Sequence, residues 1–418
     1  MPNRPTLRTA YSAPGFFALA LVLAPLAAPL AHDEHSDAQP AGAPGQDEII
    51  DTQTSVVDTA TLGDLDGLID KLAERRVVFV GESHDRYEDH LNQLAIIQGL
   101  RARGKDLAIG MEFFQQPYQQ ALDDYVAGRL DEAEMLRRTG WFERWRFDYR
   151  LYRPILRLAR EQGIPVIALN LEREITEAVG DGGLDALDDA QRARIPADMD
   201  SSDPAYRERV QAVFEAHPWT SGSPHGGGQG ETTEDPEEAK ARFERFLAVQ
   251  LLWDEGMAER AAGYLSEHPG KTLVVLAGAG HLEYGQGVPK RLQRRIQVPA
   301  AVVLNGTQRD LDPKAADFLL YPRRVALPAA GMLGVMLDTD AVGQGLAVKG
   351  FAEGSGAKAA GMEEGDRIVR VGEIEIGSYA DIRLALLDSR PGLRLPVEVL
   401  REPLIGDAER VNMEVELH

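Results

Sequence analysis

At 418 residues the chain is longer than one compact core usually accommodates, so two domains are expected. Apolar residues at 44% and charged residues at 27% exclude wholesale disorder. A net charge of −22 argues against nucleic acid as a partner, and the absence of cysteine excludes disulfides, thiolate metal sites, a cysteine nucleophile and a lipid-bearing cysteine.

Arg4 and Arg8 precede an apolar run at 16–23, and Ala, Pro and Leu follow up to Ala31. A basic start, a short greasy stretch and small residues form the pattern of a secretory signal peptide over 1–31, predicting a periplasmic or secreted protein. The run is too short and too interrupted by proline for a comfortable membrane span. Residues 32–59 open with a polar stretch rich in Ala, Pro and Gly and read as a flexible linker. Between 60 and 325, apolar runs at 76–80, 107–111, 165–169, 272–277 and 300–304 have the look of buried strands. Amphipathic stretches separate them, with Leu91, Leu94, Ile97 and Leu100 at near-helical spacing, and likewise Phe243, Phe246, Leu247 and Leu251. This alternation predicts an α/β fold with a mostly parallel sheet flanked by helices. Residues 217–237 are rich in Gly, Ser, Pro, Thr and acids and read as a mobile surface insertion. From 326 to 418 the texture changes to short apolar segments separated by glycines, with one helical piece at 380–387, which predicts a small, mostly β domain.

Parallel strands bring their carboxyl ends to one edge of the sheet, where ligands collect. The run at 76–80 leads into Gly81-Glu82-Ser83-His84, the run at 107–111 into Glu112, and the run at 272–277 into Gly278-Ala279-Gly280-His281. Glu82, His84, Glu112 and His281 are therefore expected to converge. Imidazole with carboxylate suits Zn, Mn or Fe, so Glu82, His84 and His281 are candidate metal ligands, and Glu82 or Glu112 a candidate base in a metal-dependent hydrolase. The bland alternative is that both histidines only cap strand ends. A second cluster places Trp141, Phe142, Trp145, Phe147, Tyr149 and Tyr152 among Arg144, Arg146, Arg150 and Arg153. Flat aromatic faces beside guanidinium groups suit a planar anion such as haem, and equally suit a helix packed on the core with solvated arginines.

The blocks VVFVGESHDRYEDHLNQLAIIQGL, GMEFF, WRFDYRLYRPIL, QLLWDEGMA and AGAGHLEYGQGVPKRL together resemble the ChaN-like haem-binding family, within a wider group that looks like the Tiki, TraB and erythromycin-esterase proteins. The resemblance implies an α/β domain over 60–325 serving bacterial haem or iron acquisition. It puts Glu82, His84 and His281 in the ligand pocket with Glu112 beside them, and Tyr149, Tyr152 and Arg150 as axial ligands or lining. Residues 331–418 resemble a PDZ domain: Met332-Leu333-Gly334-Val335 matches a carboxylate-binding loop, and the stretch from Ser355 to Val369 matches the core block. That implies capture of a peptide or protein C-terminus by strand addition. Three functions stay open at this point: haem binding, metal-dependent hydrolysis, and a PDZ scaffold without chemistry. A homodimer is also left open.

Overall fold

The computed structural model describes residues 57, 59–216, 235–307, 309–339, 342–402 and 407–418. The expected signal peptide, nearly all of the linker and residues 217–234 of the expected insertion lie outside the described residues. Pro236 and Glu237, assigned to that insertion, belong instead to the first turn of a helix, Pro236–Glu267, which Asp235 caps by accepting the Glu237 N–H. Among the described residues no helix is long and apolar enough to cross a membrane.

The first sheet has six strands: β1 (Val77–Glu82), β2 (Leu107–Gln115), β3 (Val166–Asn170), β4 (Thr272–Gly278), β5 (Ala300–Asn305) and β6 (Phe318–Leu320). Their order is β3-β2-β4-β1-β5-β6, and every pairing is parallel. The central strands β1 and β4 are buried along their whole length, so their Val, Leu and Phe residues serve both faces of the sheet. One face is covered by the helices Leu65–Leu72, Tyr87–Ala102 and Tyr149–Gln162, through Leu72, Ile96, Leu100, Tyr152 and Leu156. The other is covered by Pro236–Glu267 and Val288–Arg295, through Met257, Ala261, Leu265, Val288 and Leu292.

The second sheet is antiparallel, with β7 (Val335–Asp338), β8 (Leu346–Phe351), β9 (Arg367–Val371), β10 (Ile374–Glu375), β11 (Arg394–Arg401) and β12 (Glu409–Glu416). Its order is β12-β11-β9-β8-β7, with β10 alongside β9, and it closes over its own core of Leu333, Val348, Ile368, Val397, Val399 and Val415. The β7 strand ends the sheet, so one of its edges is unpaired. The helix Tyr379–Ala385 joins this unit to the first one. Ser378 and Asp381 form a capping box at its start, and its Ala380 and Leu384 share an apolar cluster with Trp141 and Tyr149. Arg137 pairs with Asp381 at 3.1 Å, and Arg153 bridges Glu132 and Asp388 across the same seam.

Candidate functional site

Because β1 lies between β4 and β5, and β4 between β1 and β2, three adjacent strands deliver the chemical groups to one edge. Glu82 ends β1 in register with Gly278 at the end of β4, while Glu112 belongs to the neighbouring β2. Glu112 Oε2 accepts the Gly278 N–H at 2.7 Å, tying β2 to β4 at the site. Glycine at 278 leaves room for the imidazole, since a Cβ there would stand 3.0 Å from His84 Cε1.

His84 and Glu82 form a buried pair, with Nδ1 2.5 Å from Oε1. Burial alone would lower the His84 pKa, but the carboxylate of Glu82, helped by Glu112 and Asp85, outweighs it and raises the value to about 9. The second oxygen, Glu82 Oε2, has no hydrogen-bond partner, and His90 Nε2 lies 3.6 Å from it. His90 is itself fully buried, and its pKa is lowered by that burial. The turn carrying His84 is fixed from behind, because Asp89 accepts the Ser83 N–H at 2.9 Å and is also bonded by Asn305.

His281 stands in the short turn after β4. Its Nδ1 is 2.7 Å from Asp254 Oδ1, and Asp254 Oδ2 accepts the Tyr206 hydroxyl at 2.7 Å. Its Nε2 lies 3.6 Å from Glu112 Oε1. Burial opposes a charge on this ring, but Glu112 and Asp254 raise its pKa above the usual histidine value.

A cleft open to solvent lies over these strand ends. His281 and Glu112 line it together with the indoles of Trp141, Trp145 and Trp253 and the ring of Phe113. Arg144 and Arg173 also line it. Arg144 is held by Glu174 at 2.8 Å and by Gln115 at 2.8 Å, and Arg173 by Glu177 at 2.5 Å. The indole wall follows from local sequence. Gly140 adopts φ 62°, ends the helix Glu132–Thr139 and starts the single turn Trp141–Arg144. Arg146, at φ 73°, then lets Trp145 and Phe147 both face His84, with ring centroids 4.8 and 4.9 Å from it.

Of the expected site residues, Glu82, His84, Glu112 and His281 meet at one edge, but in two layers. Glu112 and His281 face the cleft, whereas His84 and Glu82 lie behind the Trp145 and Phe147 rings. Three placements are corrected. Tyr149 is fully buried with its hydroxyl on Glu132 at 3.0 Å, and Tyr152 is fully buried with its hydroxyl on the His84 carbonyl at 3.2 Å, so neither lines the cleft. Burial pushes both phenol pKa values well above the usual range, which disfavours a tyrosinate ligand. Arg150 bonds Asp148 and the Pro328 carbonyl, away from the cleft. Among the described residues, Glu82, His84 and His281 do not come together as a group of three or more histidine or acidic side chains that could hold a metal ion. The two imidazoles lie in separate layers, His84 on Glu82 and His281 on Asp254.

Asp254, Tyr206 and Trp253 are site residues that the sequence reading passed over. Asp254 lies on the long helix Pro236–Glu267, and the available signal was a carboxylate on a buried stripe with Leu247, Gln250, Leu251 and Ala258.

Residues 68–292 match the family described as haem-binding uptake, Tiki superfamily, ChaN. A curated relative, the chloroplastic protein RETICULATA-RELATED 5 of Arabidopsis thaliana, is 26% identical over 275 residues, 60% of this chain and 35% of that protein. The chain thus spans about a third of that relative's length. Among solved structures, ChaN of Campylobacter jejuni with cofacially bound haem is 18% identical, with TM-score 0.47 over 60% of this chain and 89% of that one. The HtrA3 PDZ domain bound to a phage-derived ligand is 21% identical, with TM-score 0.18 over 21% of this chain and 85% of that one. With more than half its length matched by the family, the chain belongs to the ChaN haem-binding uptake family of the Tiki superfamily.

Proposed function

We propose that this protein is exported and captures haem in the indole-walled cleft, with His281 Nε2 as the iron ligand. One observation carries the reading: the His281 ring lines the cleft beside tryptophans, while its Nδ1 is bonded to a buried carboxylate. A neutral imidazole so anchored is a good iron donor, and its carboxylate partner raises its basicity. The half-buried indoles of Trp145 and Trp253 supply flat apolar faces for a porphyrin, and the Arg144 and Arg173 guanidinium groups suit its propionates. His84 and Glu82 support the cleft from behind. The haem domain is assigned to residues 60–325.

Residues 326–418 are assigned to a PDZ module that binds a peptide or protein C-terminus. The unpaired edge of β7 is open to an added strand, and among the described residues the N–H groups of Leu333 and Gly334 have no acceptor. Gly334 has φ 76°, the left-handed geometry that lets neighbouring N–H groups point at one anion. Met332 and Met336 present exposed apolar side chains beside that edge.

The test is an absorption titration of the full chain with haemin. The expected result is a saturable Soret band displaced from that of free haemin at micromolar protein. A spectrum that stays that of free haemin contradicts the proposal.

A further inference from the structure

His281 is useful as a ligand only if its lone pair is on Nε2, the nitrogen near the cleft-lining Glu112, and a neutral imidazole can carry its single proton on either nitrogen. Two carboxylates compete for that proton. Glu112 Oε1 lies 3.6 Å from Nε2, beyond hydrogen-bond length, whereas Asp254 Oδ1 lies 2.7 Å from Nδ1. Asp254 is almost wholly buried, so its free choice of partners is small, and its second oxygen is taken by the Tyr206 hydroxyl at 2.7 Å. Tyr206 is equally buried, and the Arg291 guanidinium lies 4.2 Å from its ring centroid. We infer that Asp254 and Tyr206 are positioning residues that hold the His281 proton on Nδ1 and so keep Nε2 available as a donor. This inference rests on the reading of His281 as the haem ligand, but its structural half is testable without haem.

The chemistry makes Asp254→Asn a sharp probe. The amide has one accepting and one donating end, and the carboxylate had two accepting ends. The buried Tyr206 hydroxyl keeps an acceptor only when the amide oxygen faces it, because an unsatisfied buried donor is costly. That orientation points the amide N–H₂ at His281 Nδ1, which must then accept, and the ring proton moves to Nε2 beside Glu112. A nearly isosteric change therefore inverts the tautomer and hides the lone pair from the cleft. Tyr206→Phe removes a hydroxyl but leaves the carboxylate accepting from Nδ1, so that variant keeps the native tautomer.

The experiment reads His281 ¹⁵N chemical shifts in the haem-free full chain, in alkaline solution where the ring is neutral, followed by haemin affinity of the same samples. The native chain and Tyr206→Phe are expected to show the Nδ1–H form. Asp254→Asn is expected to show the Nε2–H form and to lose about 10–100-fold in haemin affinity, the usual consequence of removing a carboxylate that orients a ligating histidine. An Nε2–H form in the native chain, or an unchanged tautomer in Asp254→Asn, overturns the inference, and the first of these holds even if the variant fails to fold. A switched tautomer with unchanged haemin affinity supports the positioning role and instead overturns the assignment of His281 as ligand.

Discussion

Replacing His84 with alanine is expected to destabilise the protein by roughly 3–5 kcal/mol in urea unfolding, because it leaves Glu82 as an uncompensated buried carboxylate. Glu82 has a fully inaccessible side chain, and its Oε2 already lacks a hydrogen-bond partner, so the loss of Nδ1 strips its only bonded oxygen. His90, whose pKa burial lowers, is a poor substitute cation. Removing both members in Glu82→Leu/His84→Ala is expected to recover a large part of that loss, since the stranded charge goes with them. A double variant no more stable than His84→Ala would show that the pair's cost is packing rather than charge. The same pair predicts a pH dependence. The folded-state pKa of His84, about 9, lies above its unfolded value of about 6.5, so its stabilisation is complete below the unfolded value and disappears as pH rises through about 9. Native stability should therefore fall across that alkaline window, and His84→Ala should lack this component of the slope.

Gly287→Ala is expected to lower haemin affinity at least about tenfold while costing roughly 1–3 kcal/mol of stability. An added Cβ at 287 overlaps the His281 carbonyl oxygen and comes within 3.1 Å of Asp254 Oδ2, so the turn bearing the imidazole and its carboxylate anchor must separate. Gly270→Ala is the matching control, for a Cβ there meets nothing within 4 Å, and it should bind haemin like the native chain. Equal affinity for the two variants in the absorption titration would mean that the His281–Asp254 contact does not govern binding.

The central strands were legible because buried parallel strands write themselves as uninterrupted apolar runs, and the runs before Gly81 and Gly278 end within two residues of the ends of β1 and β4. Strand-end logic then located Glu82, His84, Glu112 and His281 at one edge, since residues after adjacent parallel strands have nowhere else to go. It did not resolve depth. Whether an imidazole faces the cleft or hides behind Trp145 depends on the backbone at Arg146, whose φ of 73° no propensity announces. The aromatic cluster was visible, but its division was not: Trp141 and Trp145 line the cleft, while Tyr149 and Tyr152, one helical turn apart on the buried face of Tyr149–Gln162, face the core. The residues alone suited a core-packed helix and a planar ligand equally, and the resemblance drew those tyrosines into the pocket. Strand β6 escaped notice because it has three half-buried residues at the sheet margin, too few for a periodic signal. Asp254 escaped because its place on the buried stripe names no partner until the fold brings His281 against it.

The most direct measurement is the ferric-haem spectrum of His281→Ala with and without added imidazole. If His281 Nε2 ligates iron, the native Soret position is lost in the variant and returns when free imidazole fills the vacated volume. A native-like spectrum in His281→Ala without imidazole would contradict the assignment of the cleft histidine as the haem ligand.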